Sequence, residues 1–165
     1  MLKIYAIENL PKNKMIEFFK LHWGSPEMVI SSGVYDCSTL DGFAVVNEEV
    51  EIIGLITYIM RTNECEIISL DSVDKGKGKG TALVQEVEKL AMKKKCTRIK
   101  VITTNDNLLA LKFYQKRGFF ISKIINHAVE KARALKPEIP LIGYDGIPIR
   151  DELVLIKPLN ERGLG

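Results

Sequence analysis

Leu70-Asp71-Ser72-Val73-Asp74-Lys75-Gly76-Lys77-Gly78-Lys79-Gly80-Thr81-Ala82-Leu83 is the stretch on which the reading of this chain turns. An apolar run leads into a basic, glycine-rich loop, and an amphipathic segment follows. A loop of this kind ahead of a helix gathers backbone N–H groups and the positive end of the helix dipole at one point, where a pyrophosphate is held well. Glycine lets the backbone approach the phosphates and take positive φ. One helix and one strand later comes a second signal, Asn107-Leu108-Leu109-Ala110-Leu111-Lys112-Phe113-Tyr114-Gln115-Lys116-Arg117-Gly118-Phe119. Two commoner glycine loops do not fit. A dinucleotide loop needs G-x-G-x-x-G, and counting from Gly76 or Gly78 puts Thr81 or Leu83 where its last glycine belongs. A P-loop needs Gly-Lys before Ser or Thr, and here the order is Lys79-Gly80-Thr81.

The 165 residues suit one domain with a real core. Hydrophobic residues make up 46% and charged residues 27%, a balance typical of soluble proteins. A net charge of +3 is too small to point to nucleic acid. The basic clusters have local reasons, since Lys75, Lys77 and Lys79 belong to the loop and Lys93-Lys94-Lys95 closes a helix. No apolar run is long enough for a membrane span, and Met1-Leu2-Lys3-Ile4-Tyr5 lacks a signal-peptide pattern, so no membrane partner is expected. An odd number of unpaired cysteines points to a reduced, cytoplasmic setting. Cys37, Cys65 and Cys96 form no C-x-x-C pair and read as buried reduced thiols, and with two distant histidines they make no metal site.

Periodicity orders the rest. Residues 2–8 read as a strand and 13–23 as a helix stopped by Gly24, with His22 a structural member of it. Residues 29–36 and 42–47 are short strands, and 50–61 is a long strand paired to its predecessor through Asn47-Glu48-Glu49. Thr62-Asn63 turns the chain into strand 64–70. Leu83, Val87, Leu90 and Ala91 recur on one face of a helix over 81–94. Strand 98–103 leads to a helix that Asn105 or Asp106 would cap and Gly118 would end. Strand 119–125 follows, then a helix over 127–136, a Pro/Gly-rich stretch, and a last strand over 153–159.

Lys75-x-x-Gly78-x-Gly80, with Lys standing for the usual Arg or Gln, together with Asn107-x-x-Ala110-x-x-x-Tyr114 and Gly118-Phe119, resembles the acyl-CoA-binding signature of the GNAT superfamily of N-acyltransferases. The resemblance implies an α/β (α+β) fold with a mixed, mostly antiparallel central sheet, splayed at its centre and flanked by helices. It also implies one domain over 1–165, in which the helix and Pro/Gly segment at about 127–152 form an insertion. Acetyl-CoA would be the cosubstrate and a small-molecule or peptide amine the acceptor. Many relatives dimerise, so a homodimer is compatible with the resemblance.

The same likeness assigns roles. Lys75, Lys77, Gly78, Lys79, Gly80 and Thr81 would hold the CoA pyrophosphate. A backbone N–H at Leu70 would stabilise the oxyanion, and the pantetheine arm would lie along that strand. Asn107 would touch the arm, and Tyr114, two helical turns on, would protonate the leaving thiolate. For the general base, Glu66 is the first candidate and Glu64 the second, because both share the strand parity of Leu70 and so point to its face. The 127–152 insertion reads either as an acceptor wall or as a packed connection. In the first case Asp145, Asp151 and Glu152 would favour a cationic acceptor beside Tyr144. The alternative to an enzyme is a non-catalytic acyl-CoA-binding or sensing module, and longer acyl groups stay open.

Overall fold

The computed structural model describes residues 2–74 and 76–159. Along the chain run β1 (Ile4–Ala6), α1 (Lys12–Trp23), β2 (Glu27–Ile30), β3 (Gly33–Asp36), β4 (Asp41–Val46), β5 (Ile52–Arg61), β6 (Glu64–Ser72), α2 (Lys79–Lys93), β7 (Arg98–Thr104), α3 (Leu108–Lys116), β8 (Phe120–Ile125), α4 (Ala128–Leu135) and β9 (Glu152–Pro158). The expected strand over 29–36 is in fact the hairpin β2–β3, turned at Ser31-Ser32. The chain divides into two units, Met1–Glu27 with Asp36–Cys96, and Met28–Tyr35 with Thr97–Gly165.

In the first unit β1, β4, β5 and β6 pair antiparallel in that order. The β4–β5 turn is braced by Asn47, whose side-chain oxygen accepts the N–H groups of Glu49 at 3.0 Å and Glu51 at 2.9 Å. Phe19, Val45, Leu55, Ile56, Ile67, Leu83, Val84 and Val87 are buried completely. Each such aliphatic side chain favours folding by about 1.5–3 kcal/mol through the apolar area it withdraws from water. On α2 Leu83, Val87 and Ala91 of the expected stripe are buried, Leu90 is half-buried, and Val84 joins the buried face, while Leu83 rests against Gly54 of β5. On α1, the His22 ring lies tilted against Phe18 at 4.3 Å between ring centres and Trp23 against Phe19 at 5.0 Å, so His22 serves packing.

One departure in this unit matters for function. The β5–β6 register runs Arg61↔Glu64, Ile59↔Glu66 and Tyr58↔Ile67, then shifts to Thr57↔Ser69 and Ile56↔Leu70. An extra residue therefore sits in β6 between Ile67 and Ser69. A bulge of this kind reverses the side-chain alternation beyond it. Glu64 and Glu66 share a face with Arg61 and Ile59, while Leu70 lies with Cys65 and Ile67 on the other. The expectation that all three point one way is corrected by that bulge.

In the second unit β9 pairs antiparallel with both β7 and β8. Helix α3 ends in a left-handed Gly118, φ 95°, as expected. The 127–152 segment is tightly tied. The guanidinium of Arg133 donates to the carbonyls of Ile139, Pro140 and Ile149 at 3.2, 2.7 and 2.7 Å, and the Val129 N–H donates to the Arg150 carbonyl. Gly143 packs so close to Asp106 that any side chain there would overlap the carboxylate.

Candidate active site

The glycine loop belongs to the first unit. Gly76 and Gly78 take left-handed φ values of 92° and 80°, with open space where a side chain would project. Gly78 is the N-cap of α2, and with no side-chain cap there the helix starts two residues before the expected position 81. This left-handed entry needs glycine, because other residues pay roughly 1–2 kcal/mol for such a conformation. A glycine-lined helix start with no capping side chain fits a pyrophosphate. Lys77 is exposed. Lys79 is buried, and its ammonium donates to the Asp74 carbonyl at 3.2 Å. Its charge braces the loop backbone from within, where the sequence had it facing the ligand. Lys75 lies outside the described residues.

Leu70 is half-buried on β6. Glu66 is buried completely and pairs with the Arg61 guanidinium at 3.0 Å. Glu64 is half-buried opposite Arg61 in the β5 register. Cys65 and Cys96 lie close by, with the Cys96 thiol donating to the Met60 sulfur at 3.2 Å. Burial, with the charges of Cys96, Glu64 and Glu66 adding to it, pushes the Cys65 thiol up to about 12. Burial also raises the Cys96 thiol. These are not activated nucleophiles.

The second unit carries the other signal. Asn107 is the N-cap of α3, its side-chain oxygen accepting the Ala110 N–H at 3.1 Å. Neither Asn105 nor Asp106 caps the helix, because both are engaged elsewhere. Asn105 donates to the Pro148 carbonyl and accepts the N–H groups of Arg150 and Asp151. Asp106 accepts from the Thr104 hydroxyl and from the Tyr144 N–H. The cap engages the oxygen of the Asn107 side chain and not its NH2. Tyr114 is 5% exposed, with Phe113 and Phe119 edge-on at 5.2 and 5.1 Å.

The acidic residues of the insertion separate. Asp145 and Tyr144 are exposed. Asp151 receives the Arg150 Nε at 2.9 Å and the His127 N–H at 2.9 Å. The Arg150 guanidinium, helped by that N–H, holds the Asp151 carboxyl below the usual carboxylate range. Glu152 is 1% exposed, and both its oxygens face the Ser31 N–H at 3.1 and 3.2 Å. Asp151 is therefore a structural pin rather than a surface charge. Nothing in the local sequence marked the bulge, the Arg61 partner or the Ser31 contact, since each depends on pairing across the fold. Among the described residues no group of three or more His, Cys, Asp or Glu is placed to hold a metal ion, and no helix is long and apolar enough to cross a membrane.

The model of the acetyltransferase (GNAT) family matches residues 10–119, well over half the chain and parts of both units. The chain belongs to the GNAT acetyltransferase family. It is 54% identical over 151 residues to the uncharacterized protein YxbD of Bacillus subtilis (strain 168), covering 92% of this chain and 95% of that one. It is 53% identical over 160 residues to the uncharacterized protein YdhI of the same organism, covering 97% and 100%. Among solved structures it is similar to an IAA acetyltransferase from Bacillus cereus ATCC 14579, with TM-score 0.71, 21% identity and coverage of 96% and 100%. It is also similar to a Bacillus subtilis acetyltransferase in complex with CoA, with TM-score 0.69, 20% identity and coverage of 97% and 100%. At this identity the structures establish the fold, and the mixed, mostly antiparallel α/β class is the one expected from the sequence.

Proposed function

We propose that this protein transfers an acetyl group from acetyl-CoA to a primary amine by direct attack within a ternary complex, as one GNAT domain acting in the cytoplasm. The observation that carries this reading is the α2 entry, where left-handed Gly78 opens a helix with no capping side chain behind an exposed Lys77. Structural relatives were solved with CoA or acetyl-CoA bound, which supports the same cosubstrate here. The buried, reduced Cys65 and Cys96 support the cytoplasmic setting.

Transfer forms an N–C bond and breaks a C–S bond. The chain must therefore keep the amine neutral, stabilise an oxyanion and give the departing sulfur a proton. Acetyl-CoA, when bound, supplies the activated acyl group. The N–H groups from Lys77 to Thr81 take the pyrophosphate, with Lys75 and Lys77 adding charge and Lys79 keeping the loop in shape. The Leu70 N–H is assigned to the oxyanion, Asn107 through its NH2 to the pantetheine arm, and the Tyr114 hydroxyl to protonation of the thiolate. The amine proton goes to Glu66 or Glu64, directly or through water. Of these Glu64 is the more exposed, and Glu66 is tied to Arg61.

The test is thiol release from acetyl-CoA with a panel of amines, namely spermidine, a tripeptide with a free N-terminus, and benzylamine. Turnover with at least one, giving an N-acetylated product by mass spectrometry, is expected. Tight acetyl-CoA binding with no turnover across a wide amine panel would favour the sensing module instead.

A further inference from the structure

Four carboxylates are buried among the described residues: Glu66, Asp106, Asp151 and Glu152. Burying a carboxylate costs several kcal/mol unless charge and hydrogen bonds compensate it. Three of the four are compensated. Glu66 has the Arg61 guanidinium, Asp151 has the Arg150 guanidinium and the His127 N–H, and Asp106 has a hydroxyl and a backbone N–H. Glu152 differs. Among the described residues its two oxygens share one neutral donor, the Ser31 N–H, although a carboxylate has about four acceptor sites.

That donor sits at an unusual place. Ser31 is the exposed tip residue of the β2–β3 hairpin, whose strands are four residues each and pair with one another as a separate two-stranded sheet. A two-stranded ribbon is marginally stable by itself and relies on packing, here that of the buried Val29, and its turn meets Glu152 through the Ser31 N–H. Beneath it Glu152 stands opposite Thr104, the last residue of β7, in the β7–β9 register. Thr104 leads directly into the turn that starts α3, the helix carrying Asn107 and Tyr114.

We propose that Glu152 is the recognition carboxylate for the ammonium group of the acceptor, capped in the free protein by the Ser31 N–H of a hairpin that lifts when the acceptor arrives. An ammonium brings positive charge and three donors to a carboxylate otherwise served by one neutral N–H, and charge-assisted hydrogen bonds are about twice as strong as neutral ones. The occupant is thus a primary amine that arrives protonated and surrenders its proton later. This assignment rests on the amine-transfer reading above.

Two measurements on the full chain test it. In the thiol-release assay, with the best amine of the panel, Glu152→Gln keeps an oxygen for the Ser31 N–H and removes the charge. The acceptor KM should rise at least tenfold with the KM for acetyl-CoA unchanged, and Glu152→Asp should recover part of the loss. Equal rises in both KM values, or an acceptor KM within twofold of the starting protein, would overturn it. The second measurement needs neither the variant's folding nor turnover. In ¹⁵N-labelled protein saturated with acetyl-CoA, spermidine or benzylamine should shift the Ser31 amide signal and speed its hydrogen exchange. A Ser31 amide indifferent to every amine of the panel would refute the proposal. Were the starting protein to turn over no amine, the transfer reading itself would fail, whereas turnover with an indifferent Ser31 and Glu152 would fail this inference alone.

Discussion

Glu66 and Leu70, four positions apart on one strand, stand on opposite faces of β6, because the register shift between Ile67 and Ser69 reverses the alternation. The residue proposed to stabilise the oxyanion and the residue first chosen as base are therefore separated by the thickness of the strand. The Leu70 role belongs to its backbone, which the substitution Leu70→Ala leaves intact. Steady-state kinetics of that variant should show kcat within a few-fold of the starting protein. A loss of a hundredfold or more would mean that the side chain itself takes part.

The two glutamates should behave differently on substitution. Glu66→Gln removes the charge that faces Arg61 inside the unit, so a stability loss on the order of 2 kcal/mol is expected, as for a hydrogen bond to a charged group. Glu64→Gln, at a half-buried position, should cost less than that. If Glu64 is the base, its variant should lose kcat with little change in melting temperature. Full kcat for both variants would take the proton from neither.

Gly78 and Gly80 are the sharpest test of the loop. Gly78→Ala has room for its methyl group but must adopt φ near 80°, at a cost of roughly 1 kcal/mol. Gly78→Asp and Gly80→Asp add a negative charge where the pyrophosphate is proposed to sit. Calorimetry should show CoA binding weakened in the alanine variant and abolished in both aspartate variants. Acetyl-CoA should raise the melting temperature of the starting protein, and NAD and ATP should not. Normal CoA affinity in an aspartate variant would contradict the assignment.

Tyr114→Phe keeps the ring between Phe113 and Phe119 and deletes the hydroxyl. Folding and CoA affinity should survive. A general acid contributes on the order of a hundredfold or more, and the loss should fall on kcat, as expected for an interaction made mainly in the transition state. The defect should shrink with an acyl donor whose thiol leaves more readily. Unchanged kcat under conditions where chemistry limits the rate would leave Tyr114 a packing residue.

The Asp151 pin gives a pH signature. Its carboxyl is held below the usual range by Arg150 and the His127 N–H, so its contribution is complete above the unfolded value of about 3.9 and is lost as pH falls through the lower folded value. Protection from hydrogen exchange over 127–152, taken relative to the intrinsic rate at each pH, should be high near neutrality and fall in acid. Asp151→Asn should exchange faster near neutrality and converge with the starting protein at the acid end. A constant difference across the range would rule out the linkage.

Cys65 predicts the alkaline counterpart. With its thiol raised from 9.0 to about 12 by burial, its stabilising contribution is complete below the unfolded value and is lost as pH rises toward 12. Alkylation at pH 8 should be far slower in the folded protein than in urea, and Cys65→Ala should retain acetyl transfer. Stoichiometric acetylation of Cys65 during turnover would instead establish a covalent route.

Features set by neighbours along the chain were legible in the residues alone. The glycine spacing announced a helix entry of unusual geometry, the apolar stripe through Leu83, Val87 and Ala91 fixed the face that α2 buries, and Gly118 marked the end of α3. Spacing and residue type carry such features because turn, cap and helix energies are set within a few residues. Whatever required a distant partner emerged only in the packed fold. The β6 bulge exists through pairing with β5, so strand parity alone put Glu66 and Leu70 on one face. Asn107 became the cap of α3 because Asn105 and Asp106 were taken by the 143–151 segment. Lys79 turned inward to the Asp74 carbonyl, and Glu152 met Ser31 across 121 positions of sequence. Hydrogen bonds and charge compensation act through space, and a buried polar group takes whichever donor the fold brings to it.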